Sequence, residues 1–595
     1  MGIVAFVPEG MLRWTFPKYL VVGAAVGVAL FARRTGRLPR WAWWIAGSAF
    51  VTLVIAALVG SVVYGTDVWA GLVGRWPRYL GPGLALPVAV GAAWLGAALL
   101  GPGAAPAVLR AFLVAVSAAS SAVALVSLAE TAGLRPFPSD LERPGSLFGN
   151  ATDQGIVCAM MAVLLVGAVA HHRVRVDPVL RIAVPVGAVA GLVGLATSGS
   201  RGAYLAAIVG LIAVAVLLWR AGVLRGRVLL LGAAGVVGVL GAVILTAPGV
   251  SARLTGADPV AASTVGERWT LWQWGFQVWG TSPIVGAGSG SFIDRVPQFH
   301  DAGWYLDRPL NTVLESAHNW VLDAASDGGG LLVVVIALGL ILTVVTAVRR
   351  MRSRSDDDVL LAGAVASILV AAVALLAHPT GPAVYLFVAL LLGIVVAAQR
   401  PPLDGFGSPI RTIAARAAGI VAVLALALAT SAEIPMGAAV AATPGVGEPE
   451  ASLATATALR PWDPEMLALG AQTLTARAVA GDTGALDPAA RWTAAAASAF
   501  PHTLAVLDAR AALLETTQDW EAASAVRAQM VAVAPHDLPA RQDLAIDQAM
   551  AGELDLAVET AAAILAEQPA MEQARTLIDQ ICAGRQSPVC VAGRP

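Results

Sequence analysis

The chain has 595 residues, of which 57% are hydrophobic and 13% charged, and its mean hydropathy is +0.74. Soluble domains carry about 25% charged residues, so a wholly water-soluble protein is excluded and an all-α polytopic membrane protein is expected. The formal net charge of −1 offers no basic surface for nucleic acid.

Twelve apolar runs long enough to span a bilayer follow in order: 17–32, 41–64, 79–100, 106–130, 154–172, 179–197, 202–219, 228–248, 330–348, 359–377, 382–398 and 412–432. None has an ionisable residue near its middle, which argues against an ion-coupled transporter. The connections 33–40, 171–181, 220–227, 349–358 and 400–416 hold 4, 3, 3, 4 and 3 arginines. The positive-inside bias makes that side cytoplasmic. The less basic connections, including the long one at 249–329, then face outward, as do both termini. No cleavable signal peptide is evident, so the first span would direct insertion. Cys158 falls within an apolar run. Cys582 and Cys590 would be able to pair if their end is extracytoplasmic, and a free pair stays open.

Four polar elements fall on the outward side. RPGSLFGNATDQG, 143–155, carries Arg143 and Asn150. TSGSRGA, 197–203, places Arg201 after two N-cap residues, Ser198 and Ser200, where free amides and a guanidinium would attract an anion. The competing reading is an arginine that snorkels to the interface. In ERWTLWQWGFQVWGTSPIVGAGSGSF, 267–292, Trp269, Trp272 and Phe276 share one face of a helix lying along the membrane surface, with Arg268 one turn from Trp272. LESAHNWVLD, 314–323, follows Thr312, whose spacing to Glu315 is that of a capping box. The predicted helix would set Glu315 and His318 on one face, the carboxylate fixing the imidazole tautomer of a general base. Asn319 and Trp320 adjoin that histidine, and His378 lies in AHPTGP before the eleventh run. No metal site is convincing, and no cofactor is called for.

The C-terminal part, 433–595, reads as a separate helical repeat domain behind a membrane domain at 1–432. Prolines recur at 501, 535 and 569, and Ala511 and Ala545, Ala489, Ala523 and Ala557, and Trp520 and Leu554 keep the same 34-residue step. This phasing resembles tetratricopeptide repeats, in which alanines let paired helices approach and proline ends the second. Such a domain usually binds a protein partner.

SGSRGA at a span start, ER before an aromatic stretch, the Pro283, Gly286, Gly288 and Phe292 pattern, and AHN before a Gly-rich turn resemble, in this order, the O-antigen ligase/polymerase superfamily of bacterial envelope glycosyltransferases. The resemblance covers about 143–400. Asn150 matches only loosely, because Gly149 stands where the family commonly has proline. The resemblance implies a type C glycosyltransferase-like fold and a polyprenyl-diphosphate-linked glycan donor. It also implies metal-independent, inverting transfer to an acceptor hydroxyl on a glycolipid, protein or wall polymer. By match, Arg201 and Arg268 would hold the diphosphate and His318 would activate the acceptor. Trp272 and Trp320 would stack on sugar or lipid, and His378 resembles a second histidine of protein-glycosylating members. A polymerase of lipid-linked units is the nearest alternative. A transporter of lipid-linked sugars or a non-enzymatic repeat scaffold would be a different class.

Overall fold

The computed structural model describes residues 2–32, 38–102, 104–137, 143–145, 147–223, 259–306, 313–352, 358–398, 409–442, 448–583, 585 and 587–592. Every regular element among them is helical. In chain order the longer helices of the first part are α1 (Phe16–Phe31), α2 (Arg40–Tyr64), α3 (Val68–Val73), α4 (Ala85–Leu100), α5 (Pro106–Thr131), α6 (Ala151–Val169), α7 (Leu180–Ser198), α8 (Arg201–Arg220), α9 (Pro259–Thr281), α10 (Trp320–Met351), α11 (Asp358–Ala374), α12 (Pro382–Val396), α13 (Pro409–Ser431) and α14 (Glu433–Ala441).

Seven of the helices are long and apolar enough to cross a membrane, and four shorter apolar ones accompany them. Together they account for eleven of the twelve predicted runs; the run at 228–248 lies outside the described residues. The protein is therefore a polytopic, multi-pass membrane protein. Two boundaries differ from the reading of the sequence. The third span begins at Ala85 rather than at 79, because Pro77, Gly81, Pro82 and Gly83 break the helix. Gly81 N–H donates to the Val73 carbonyl at 3.0 Å and Gly83 N–H to the Leu72 carbonyl at 2.7 Å, folding the segment back on α3. The run read as 330–348 is the later part of α10, which starts at Trp320 and changes direction at Gly329.

At the centre of the bundle lies α6, with α7, α8 and α11 around it. Small residues permit the approach, as lipid-embedded packing requires. A Cβ on Gly167 would lie 2.9 Å from the Gly363 Cα, so α6 and α11 touch backbone to backbone. Cys158 is buried in this core with a free thiol.

Behind α14 come α15 (Pro449–Leu459), α16 (Glu465–Val479), α17 (Leu486–Ala499), α18 (Leu504–Thr516), α19 (Trp520–Val533), α20 (Leu538–Met550), α21 (Leu554–Glu567) and α22 (Glu572–Cys582). From α18 to α20 and from α19 to α21 the first residue advances by 34. Ala489, Ala511, Ala523, Ala545 and Ala557 are all fully buried at helix contacts, and each of Pro501, Pro535 and Pro569 follows a helix end. Cys582 and Cys590 form a disulfide.

These helices are fastened to the membrane bundle by buried charge. Arg460 pairs with Glu433 and Asp463 and lies over the Phe16 ring at 3.8 Å. Arg75, between α3 and α4, pairs with Glu465 and Asp294, and Tyr79 donates to Asp463 at 2.8 Å.

Candidate functional site at the convergent helix N-termini

Four helix N-termini meet at one end of the bundle. Asn150 caps α6, its Oδ1 accepting from Thr152 and Asp153 N–H, and Ser200 caps α8, accepting from Ala203 N–H. The two starts abut, since a Cβ on Gly155 would lie 2.6 Å from Ser198 Oγ and 3.0 Å from the Ala203 Cβ. The start of α12 joins them, where Gly381 lies against the Asp153 carboxylate. Asn319 caps α10, and Trp320 N–H donates to the Leu375 carbonyl at the end of α11. Each such terminus presents unpaired amides and a partial positive charge.

Cationic side chains sit among them. Arg201 is the first residue of α8, and its buried Nη2 has no hydrogen-bond partner among the described residues. Of the two predicted caps, Ser200 is the one used; Ser198 ends α7, its Oγ donating to the Leu195 carbonyl at 2.6 Å. Arg143 donates to the Ser198 carbonyl at 3.4 Å. Lys18 is buried and donates to the Leu147 carbonyl at 3.2 Å. On α9, Arg268 is close enough to His318 to act on its charge.

The helix expected to start at the capping box is absent. Residues 313–319 are non-helical and α10 starts at Trp320, while Thr312 lies outside the described residues. Asp323 causes this. Its carboxylate accepts from Ser316 Oγ at 2.7 and 2.8 Å and from Ala317 N–H at 3.0 Å, pulling the segment ahead of the helix back over its first turn. His318 is thereby held at φ 54°, a conformation few residues adopt. Its Nδ1 bonds the Ser316 carbonyl at 3.0 Å and so carries the proton, leaving the Nε2 lone pair available. The tautomer is thus fixed by a backbone carbonyl, not by the Glu315 carboxylate. What Glu315 contributes is its own carbonyl, which accepts from Arg78 Nη2.

Burial, followed by the charge of Arg268, pushes His318 down to about 3 against the pull of the Ser316 carbonyl, with His378 and Arg78 adding to the fall. The imidazole is therefore neutral at neutral pH. Its ring centroid lies 6.4 Å from that of His378, whose Nε2 is 3.3 Å from Asp153 Oδ1. Arg268, His318 and His378 thus come together, and Arg201 lies at the same end of the bundle through the α6–α8 contact. Trp320 is more anchor than open platform, its indole N–H donating to the Ala372 carbonyl at 3.2 Å. Asn150 and Asn319 spend their side-chain oxygens on caps. Trp272 is half-buried, and its indole N–H has no partner among the described residues. The exposed face of α9 carries Trp269 and Phe276, while Leu271, Trp274 and Val278 pack inward.

Sequence reasoning missed Arg78. It pairs with Asp323 at 3.4 Å and reaches Glu315 across 237 positions, from a segment that reads as the start of an apolar span. It also missed Asp323 as the organiser of the hairpin. No group of three or more His, Cys, Asp or Glu able to hold a metal occurs among the described residues.

A helical membrane bundle with several N-termini, arginines and one neutral imidazole at a single end is a membrane protein with a site suited to an anionic, lipid-borne substrate. Residues 186–337 match the family model described as O-Antigen ligase, so this part of the chain is similar to the O-antigen ligase superfamily. The match includes Arg201, Arg268 and His318. The match supports a ligase- or polymerase-like role at a membrane, acting on a lipid-linked glycan. No curated protein matches the chain.

Proposed function

We propose that the chain transfers a glycan as one block from a polyprenyl diphosphate to an acceptor hydroxyl, at the outer face of the cytoplasmic membrane. The observation that carries this reading is the neutral His318, with Nε2 free, beside Arg268 and a cluster of helix N-termini. Nε2 takes the acceptor hydroxyl proton as the oxygen attacks the anomeric carbon. The bond from that carbon to the phosphate oxygen breaks on the opposite side, so the product is inverted. Arg201, Arg268 and the N-termini of α6 and α8 neutralise the charge gathering on the departing lipid diphosphate, a role that needs no metal. The proton then passes from Nε2 to water.

The outward placement is supported by arginine-rich connections at the other end of the bundle, where Arg173 and Arg350 line one cavity. The Cys582–Cys590 disulfide, in the helices docked at the site end, agrees with an oxidising compartment. The tetratricopeptide-like helices at 433–595, read as a domain in their own right, would present a protein or large polymer acceptor.

The test is transfer in proteoliposomes from a defined lipid-linked oligosaccharide to candidate acceptors. Single-block products abolished by His318→Ala are expected; ladders on the lipid would identify a polymerase. Transfer that persists in His318→Ala would defeat the proposal.

A further inference from the structure

A cavity of about 340 Å³ lies where three parts of the chain meet: the end of α2, the segment following α9, and α17 to α19. Tyr64, Ser291, Arg295, Gln298, His502 and Thr503 are among its walls. It is separate from the transfer site. Thr281 lines it, and Thr281 lies thirteen positions after Arg268 along α9, about 20 Å away.

Arg295 is 95% buried, with 5% of its surface exposed. Its Nη2 donates to Tyr64 OH at 3.2 Å, and the guanidinium lies 4.4 Å from the centre of that ring. The Nε and Nη1 atoms are buried without a partner among the described residues, and so is Ser291 Oγ. The wall carboxylate is already engaged: Asp294 pairs with Arg75 and accepts from Thr503 Oγ1 at 2.6 Å. A guanidinium offers donors only, and a buried charge lacking a counter-ion is costly. The missing group is an acceptor carrying negative charge. The tyrosine ring, the His502 imidazole and the acceptor oxygens of Gln298, whose amide nitrogen donates to the Arg295 carbonyl, and of Thr503 suit a sugar around it.

We propose that this cavity binds an acidic saccharide, with its carboxylate or phosphate group at Arg295, and serves as an outlying subsite for the acceptor glycan. The saccharide's role as acceptor rests on the transfer reading above; the binding itself does not.

Titration calorimetry on the full-length protein in lipid nanodiscs tests it. The probes are a glucuronate-containing trisaccharide, the same trisaccharide with its carboxyl reduced, and inorganic phosphate. One glucuronate trisaccharide per chain is expected, with at least tenfold weaker binding after carboxyl reduction or in Arg295→Gln. Ala532 is exposed and lines the cavity, so Ala532→Glu sets an opposing charge there without disturbing the packing of Arg295, and it too should weaken binding. Phosphate binding that depends on Arg295, without glucuronate binding, keeps the proposal and names phosphate as the anionic group. Failure of both anions to bind, equal binding of the reduced trisaccharide, or unchanged affinity in the variants overturns it. The guanidinium would then be balanced by the carbonyl ends of the helices that finish at Tyr64, Thr281 and Val533. His318→Ala separates the two ideas: it should abolish transfer and leave this binding intact. Transfer surviving that change would sink the transfer reading and leave the anion site standing.

Discussion

Arg78→Gln should slow transfer by disordering the hairpin that carries His318. Arg78 makes two contacts there, a pairing with Asp323 at 3.4 Å and a hydrogen bond to the Glu315 carbonyl. Their side chains are 17% and 14% exposed, so water screens the pair only partly. A hydrogen bond to a charged group contributes about 1.5–3 kcal/mol. If that energy appears as lost preorganisation, kcat falls about 10- to 150-fold. KM for the lipid-linked donor should change less, because Arg201, Arg268 and the helix N-termini remain. Arg78→Lys discriminates the cause. It keeps the charge near His318 but not the fork that holds two oxygens, so kcat should stay low. Single-turnover transfer in proteoliposomes reads both variants. Wild-type kcat in Arg78→Gln, or full recovery in Arg78→Lys, would refute the positioning argument.

Three further outcomes are expected. The acid limb of kcat/KM should lie far below the ordinary histidine value of about 6.5, since burial and Arg268 hold His318 near 3 and the base works deprotonated; a limb between 6 and 7 in a pH–rate profile would contradict this. Gly329→Ala should lower the melting temperature sharply, because Gly329 has φ 64° and a Cβ would stand 2.2 Å from the Ile284 carbonyl oxygen, whereas Gly280→Ala, with nothing within 4 Å, should be neutral. Cys590→Ser should destabilise the end of the chain by about 2–3 kcal/mol, read as faster proteolysis beyond α22; alkylation of both cysteines in the unreduced protein would show that they are not bonded.

The helices were legible because burial in lipid demands long apolar runs, and eleven runs of this kind became helices. Polar helix starts were harder. The first turn of α10 carries Asp323, so a hydropathy reading begins the helix later, inside its apolar part. Thr312 and Asn319 both satisfy the local rule for a cap, and only the fold chooses between them. The choice falls to Asn319 because Asp323 ties Ser316 and Ala317 into a hairpin that a helix from 313 could not form. Arg201, Arg268 and His318 stood out because polar groups are rare among apolar spans. Arg78 did not, because its partners lie 237 and 245 positions away and nothing local marks it. The glycines of the 283–292 segment have a reason that no local pattern discloses: Gly288 N–H donates to the Asp327 carbonyl at 3.0 Å, and Gly286 lies against the same peptide, at the bend of α10.

A histidine held neutral near 3 is a poor base, so its position among cations needs a reason. Burial weakens it most, and the charge of Arg268, which weakens it next, would in the proposed reaction also attract the donor diphosphate. Once that anion lies between Arg268 and the helix N-termini, the charge acting on His318 is offset and the imidazole becomes more basic. The groups that bind the leaving group would thereby make the base stronger when there is a glycan to transfer, while the share of the depression that burial causes would remain. A kcat limb displaced upward from that of kcat/KM is the signature of this coupling, because the first reports the loaded enzyme and the second the free one.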